Sequence, residues 1–192
     1  MQLELTKTQE KNLKALAEQI IDRNTQHNLT GYKNIEKLYK EQIIDCVKAL
    51  QACKTGLEKT VVDCGSGAGL PGLVWGVMDS SLNIVTIDSN LKKINFQTKA
   101  IKNLQLNNIK PIHTRTEDHI EQKKHTIVTK AFSSVKKTIE ANKNKKNLML
   151  IKKDNEKTHQ ELLDAAPLIY DYKRHTYSHN KESMVVLEIY DS

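Results

Sequence analysis

With 192 residues, 38% of them apolar, the chain is long enough to bury one sizeable core, which suggests a single domain with a small appendage. No apolar run approaches membrane-spanning length, and the opening MQLELTKTQEKN lacks the basic-then-apolar pattern of an export signal, so it reads as structure. Thirty Lys and Arg against 23 Asp and Glu leave a net charge of +7, which favours a polyanionic partner; Lys supplies nearly all of it, the arginines being Arg23, Arg115 and Arg174.

The chain begins helically. Thr6 and Gln9 make a capping-box pattern before an apolar stripe of Leu13, Leu16, Ala17, Ile20 and Ile21. The polar turn HNLTG at 27–31 ends this helix, and a second is predicted over 35–53 with Leu38, Ile43, Ile44, Val47 and Leu50 as its apolar positions. Residues 1–56 therefore read as a helical cap and 57–192 as the core of one compact unit. From there strands and helices alternate. A strand at 60–64 leads to a glycine loop and a helix over 72–78, with Pro71 where an N1 proline would stand. A strand at 83–88, a helix over 91–104, strands at 109–113 and 126–130, and a helix over 133–141 follow. A strand at 148–151 and a helix over 155–165, ended near Pro167, come next; two last strands, 168–177 and 184–190, flank the polar turn SHNKE. This alternation predicts an α/β fold with a doubly wound, mostly parallel sheet and one antiparallel edge.

Three cysteines, Cys46, Cys53 and Cys64, show no CxxC pair and no metal spacing, and read as small buried residues in a reducing compartment. His175 and His179 have no Cys or third ligand beside them and belong to the predicted hairpin, so no metal is expected. Trp75, one turn into its helix, reads as core.

The segment VVDCGSGAGLPG at 61–72 carries the chemistry. Gly65, Gly67 and Gly69 follow a strand and allow a tight turn with close approach of a ligand to the backbone. Asp88 closes the next strand 19 residues after Gly69, where α/β nucleotide binders place a carboxylate for the ribose hydroxyls. A dinucleotide fingerprint would need Gly or Ala at the sixth position from Gly65, which is Leu70. Asp63, just before the glycines, would repel a pyrophosphate but attract the amino group of a methionine moiety. Both features favour S-adenosylmethionine over NAD, and no GK[ST] follows to make a P-loop. Among methylation chemistries, the Asp/Asn-Pro-Pro-aromatic clamp of exocyclic amine methylases is absent, the prolines being Pro71, Pro111 and Pro167. No cysteine is well placed as the nucleophile of a carbon-5 pyrimidine methylase. Guanine N7, with a lone pair and no proton to lose, needs positioning more than a base. A small-molecule methylase passes the same filter.

DCGSGAGLPG, IDSNLKKINF, TRTED and TKAFSSV, in that order, together with RNTQHNLT and IIDC upstream, resemble the glucose-inhibited division protein B family, the small-subunit ribosomal RNA methyltransferases G. The likeness runs from about residue 23 to 134. It implies S-adenosylmethionine-dependent methylation of N7 of a guanosine in 16S rRNA, with the rRNA or the small-subunit particle as partner. It also implies a cytoplasmic location, no membrane and no obligate protein partner. The resemblance assigns Gly65 and Leu70 to the cofactor loop, Asp88 to the ribose, and Thr116 and Glu117 to the adenine edge. It places Lys130 near the methyl donor and the target base. Asn28 and Asp45 match cap positions and read as structural.

The chain also departs from the family pattern. Arg23 stands for Trp, Glu41-Gln42 for Arg-His, Lys130 for Arg, Lys152-Lys153 for Lys-Gly, and Lys181-Glu182 for an arginine-containing turn. Most departures fall on the RNA side, so a methyltransferase for another RNA or a small molecule, or a non-catalytic RNA-binding relative, stand as alternatives. The basic run Lys136, Lys137, Lys143, Lys145 and Lys146, with Lys152 and Lys153, offers either a path for RNA or a solvated face. Lys92 and Lys93 carry the same two readings, and Phe132 could pack the pocket floor or face a base.

Overall fold

The structure, a computed structural model, describes residues 4–119, 124–130, 133–142 and 147–190. Phe132, Lys143, Lys145 and Lys146 lie outside the described residues.

Helix α1 (Lys7–His27) starts on the capping box: the Thr6 hydroxyl accepts from the Gln9 amide while the Gln9 side chain accepts from the Thr6 amide at 2.9 Å. It stops at Asn28, whose φ of 48° is left-handed. The second helical stretch is three pieces: α2 (Ile35–Leu38), a π turn at Tyr39–Ile43, and α3 (Ile44–Cys53). The wider turn lets Leu38 and Ile43, five residues apart, both reach the core.

Strands β1 (Thr60–Cys64), β2 (Asn83–Asp88), β3 (Ile109–His113), β4 (His125–Lys130) and β5 (Leu148–Lys153) form the parallel part of one seven-stranded sheet. Its order is β3-β2-β1-β4-β5-β7-β6. Strand β7 (Glu182–Tyr190) inserts antiparallel between β5 and β6 (Asp171–His179). Helices α4 (Gly72–Met78), α5 (Leu91–Asn103), α6 (Val135–Ala141) and α7 (Glu156–Ala165) fill the crossovers.

Alternate residues of the inner strands feed two cores. Val61, Ile84, Val128, Met149 and Val186 join the cap, α4 and α5 on one face. Val62, Val85, Ile127, Leu148 and Val185 join α6 and α7 on the other. Trp75 is fully buried and donates Nε1–H to the Cys46 carbonyl at 2.9 Å, pinning α4 to α3; all three cysteines are buried. The cap thus shares its apolar interior with one face of the sheet.

Several boundaries differ from the sequence reading, the expected strand at 168–177 among them: Ala166–Leu168 form a 3-10 turn at Pro167, and β6 begins at Asp171. Pro71 is the N-cap of α4 rather than its first residue. Strand β5 runs two residues further, because Lys152 and Lys153 pair with Val185 and Met184. The SHNKE turn narrows to Asn180 and Lys181, whose φ values of 48° and 65° let two residues close the hairpin. Polarity assigns its flanks to loop, whereas Ser178–Ser183 and His179–Glu182 pair at the end of the hairpin, where backbone bonding tolerates polar side chains. Among the described residues, no helix is long and apolar enough to cross a membrane.

Candidate active site

From β1 the chain moves outward through β2 and β3, then returns as β4 on the other side of β1. The crevice between the carboxyl ends of β1 and β4 is therefore the topological switch point, where open α/β sheets bind ligands.

One flank is the glycine loop. Gly65, Gly67 and Gly69 have φ of 69°, 58° and 84°, a region closed to most side chains. The Gly65 and Ser66 amides donate to the Ile87 carbonyl at 2.9 and 3.0 Å, tying the loop to β2. Asp88, 8% exposed, accepts from the Gly67 amide at 2.9 Å and the Asn90 amide at 2.8 Å, which leaves lone pairs for a ligand. In register beside Asp88 lies His113, and the Thr114 amide donates to the Asp88 carbonyl at 3.3 Å. This places the next turn, with buried Thr116 and exposed Glu117, directly after the strand end beside Asp88. Leu70 is half-buried against the cap-side core.

Two polar groups hold the loop from beneath. Gln97 was not singled out by the sequence reading. It donates to Ser66 Oγ and the Gly67 carbonyl, both at 2.9 Å, and accepts from Thr86 Oγ1. Its signal was an amide on the apolar stripe of Ile94, Ile101 and Leu104. Asp63, fully buried, accepts from the Gly72 amide at 2.7 Å through Oδ2, while its Oδ1 has no partner. Burial pushes this carboxyl up to about 7, with nearby Asp88 adding to the shift while the Gly72 amide and Lys130 oppose it. A side chain at 72 would collide with Asp63 Oδ2, 2.8 Å from the Cβ position, so glycine is required there.

The other flank is an open cleft of about 1020 Å³ at the ends of β4 and β5. Among the described residues, four lysines and four carboxylates line it, so these side chains balance in formal charge. Lys130, its side chain 12% exposed, lies 3.3 Å from Asp45 Oδ2 and donates to Gln42 Oε1 at 2.5 Å. Asp45, its side chain 4% exposed, also accepts from the Tyr177 hydroxyl at 2.8 Å. Asp45 thus joins the cap to Lys130 within the cleft wall; its place inside the apolar run IIDCVKAL flags a buried carboxylate but not its partners. Asn28 is the left-handed end of α1.

The remaining candidates divide. Lys152 is held by Glu161 at 2.7 Å and the Ser133 carbonyl at 2.9 Å, and Lys153 by Glu182 at 2.7 Å. Lys136 and Lys137 are exposed on α6. Lys92 is exposed, and Lys93 lies 4.0 Å from Asp88. His175 pairs with Glu188 at 2.8 Å and His179 with the Glu41 carbonyl at 3.2 Å, and no cluster fit for a metal exists among the described residues.

A doubly wound sheet with a glycine loop, a carboxylate at the end of β2 and a cleft across the switch point defines the fold class of the S-adenosylmethionine-dependent methyltransferases. The structure of M. capricolum TrmK in complex with S-adenosyl-homocysteine superposes with a TM-score of 0.55 at 17% identity, covering 76% of this chain and 68% of that one. Residues 9–186 match the family described as rRNA small subunit methyltransferase G, and the chain belongs to that family. The ribosomal RNA small subunit methyltransferase G of Clostridium perfringens (strain 13) is 40% identical over 100 residues, which is 52% of this chain and 42% of that protein. The protein of the same name from Chromohalobacter salexigens is 32% identical over 138 residues, 72% of this chain and 65% of that protein. The matched segments therefore span less than two thirds of these relatives' length.

Proposed function

We propose that this chain methylates N7 of a guanosine in 16S ribosomal RNA, using S-adenosylmethionine. The observation that carries the reading is the pairing, across one switch point, of the Asp88-tied glycine loop with the Lys130 cleft, in a chain of this family.

The residues present fit the cofactor. Asp88 has lone pairs left for the ribose hydroxyls. Asp63 Oδ1, buried and unpartnered, suits an ammonium such as that of a methionine moiety. The left-handed glycines let a ligand approach the backbone. The cofactor supplies a methyl group activated on a sulfonium. Guanine N7 would accept that methyl group on its lone pair without losing a proton, so the chain's residues need to orient the base and not to deprotonate it. Positioning therefore replaces general-base catalysis. Thr116 and Glu117 would flank the adenine, and Gly65 and Leu70 the rest of the loop-side pocket. Lys130 would donate to the base. With Asp45 at 3.3 Å, that donor brings little net charge to a guanine that becomes cationic. The N7 edge must be open to approach, which requires the base to be unstacked or flipped. The partner is then the 16S rRNA or the small-subunit particle, and the place of action the cytoplasm.

Mapping 7-methylguanosine in 16S rRNA from cells with and without the gene tests the activity. Lys130→Ala should lower single-turnover transfer far more than cofactor affinity, whereas Lys130→Arg should retain activity. A wild-type rate in Lys130→Ala would remove Lys130 from the reaction. One observation favours a second reading, methylation of a different RNA: Glu41 and Gln42, where the sequence leaves the family pattern, both line the cleft. Transfer to total RNA stripped of 16S rRNA would support that alternative.

A further inference from the structure

Four side chains on the cleft wall form an unbroken polar strip. Lys130 Nζ donates to Gln42 Oε1 at 2.5 Å, Gln42 Nε2 donates to the Tyr32 hydroxyl at 3.0 Å, and that hydroxyl donates to Glu41 Oε2 at 2.9 Å. The polarity of the strip is fixed by chemistry. An ammonium can only donate and a carboxylate can only accept, so Gln42 turns its oxygen to Lys130 and its amide to Tyr32. The strip therefore begins in a donor and ends in an acceptor. The π turn presents Glu41 and Gln42, neighbours in sequence, to the same cleft. His179 anchors that turn. A carbonyl accepts, so it is the Nε2–H of His179 that donates to the Glu41 carbonyl at 3.2 Å.

Among the described carboxylates lining the cleft, Glu41 and Glu182 each accept one short hydrogen bond, and only Glu41 belongs to the strip that runs from Lys130. Asp45 takes Tyr177 and Lys130; Glu161 takes Lys152 and the Val135 amide; Glu182 takes Lys153 at 2.7 Å. The Glu41 side chain is 36% exposed, and the cation paired with it, Lys37, stands at 4.0 Å, the outer limit of an ion pair.

We propose that this strip reads the target base, with Glu41 accepting from the N1–H and exocyclic amine of guanine while Lys130 donates to O6. This rests on the guanosine-methylating function proposed above and names what would select the base. The Watson–Crick edge of guanine sets one acceptor beside two donors, matching a donor followed by an acceptor; adenine offers an amine where guanine has O6 and would meet Lys130 donor to donor. The pose also orients the chemistry. O6 lies between N1 and N7, so a base with O6 on Lys130 and N1 toward the π turn turns N7 toward the switch point and the glycine loop. Methylation leaves the guanine cationic and its N1–H and amine stronger donors. Glu41 therefore binds the transition state more tightly than the substrate.

The test is single-turnover transfer to 16S rRNA carrying guanosine or inosine at the target position. Inosine keeps O6, N1–H and N7 but lacks the exocyclic amine. The native protein should transfer to guanosine about tenfold faster or more, the order expected of one charge-assisted hydrogen bond. Glu41→Ala should slow transfer to guanosine and bring the guanosine-to-inosine ratio near one, with S-adenosylhomocysteine affinity unchanged. Glu41→Gln, which preserves shape and an acceptor for Tyr32, gives a second reading if Glu41→Ala folds poorly, and its ratio should fall to between those of the native protein and one. Equal native rates on the two RNAs, or a native ratio retained by either variant, overturn the base-reading role alone. A native protein that leaves the guanosine RNA unmethylated overturns the activity and the strip together.

Discussion

A carboxyl in a strand buried on both faces is costly, and Asp63 offsets that cost with one hydrogen bond, from the Gly72 amide, and the nearby charge of Lys130, while Oδ1 is unpartnered. Burial raises its titration from 3.8 to about 7, so near pH 6 the folded protein holds a proton that the unfolded chain has released. This contribution to stability is fully present below about pH 4 and is lost as pH rises through about 7. A bound ammonium reverses the preference by favouring the carboxylate, so cofactor binding at acid pH must expel the proton. We expect S-adenosylhomocysteine affinity to fall as pH drops below 7, by up to about tenfold per unit, and Asp63→Asn to flatten that dependence. Calorimetry across pH decides, and a flat native profile would detach Asp63 from the ligand. Asp88→Ala should weaken the same binding by about 1.5–3 kcal/mol, the range of a hydrogen bond to a charged group. Unchanged affinity would remove Asp88 from the site.

The elements were legible where a single period governs them. The β1 strand, the glycine loop and the amphipathic α5 follow from alternation, turn chemistry and the helical stripe. The π turn was not read, although Leu38 and Ile43 stand five apart where an α-helix would space them by three or four. That one wider turn sends Glu41 and Gln42 into the cleft beside Lys130; the sequence put all three on the RNA side, but their joining into one wall was not legible. Asp45 was read as structural because its partners, Lys130 and Tyr177, are distant in sequence and no local pattern reports them. Burial and the adjacent Asp45 carboxylate raise the Tyr177 hydroxyl, so it stays a donor, and it clips β6 to α3. Tyr177→Phe leaves a buried carboxylate oxygen without its donor. Urea unfolding should show a loss of about 1–3 kcal/mol, the cost of stranding such a group. An unchanged midpoint would mean the hydroxyl adds nothing to the join between hairpin and cap.

Across the whole molecule, the net charge of +7 is not carried by the described residues of the cleft, where four lysines face four carboxylates. For the RNA proposed as substrate, the described lysines free to attract a backbone are then on the rim. Lys136 and Lys137 are exposed on α6, whose N-cap Ser134 itself lines the cleft, so they stand beside its mouth. Lys152 is the contrasting case. Its side chain is 13% exposed against Glu161 at 15%, and its charge is held inside the wall. These placements separate two effects that composition alone merges. Reversing Lys136 and Lys137 to Glu should reduce the slope of log binding constant against log salt by about one unit for each phosphate that is no longer neutralised, with little change in stability. Lys152→Ala should do the opposite. It leaves Glu161 largely buried without its cation, costing about 3–5 kcal/mol of stability by analogy with broken buried pairs, while the salt slope of the fraction still folded stays at the native value. Salt titrations of RNA binding, run beside urea unfolding for both variants, give the comparison. An unaltered slope in the Lys136 and Lys137 variant would return those lysines to a solvated face. A reduced slope in Lys152→Ala would show that the Lys152–Glu161 pair opens to meet phosphate.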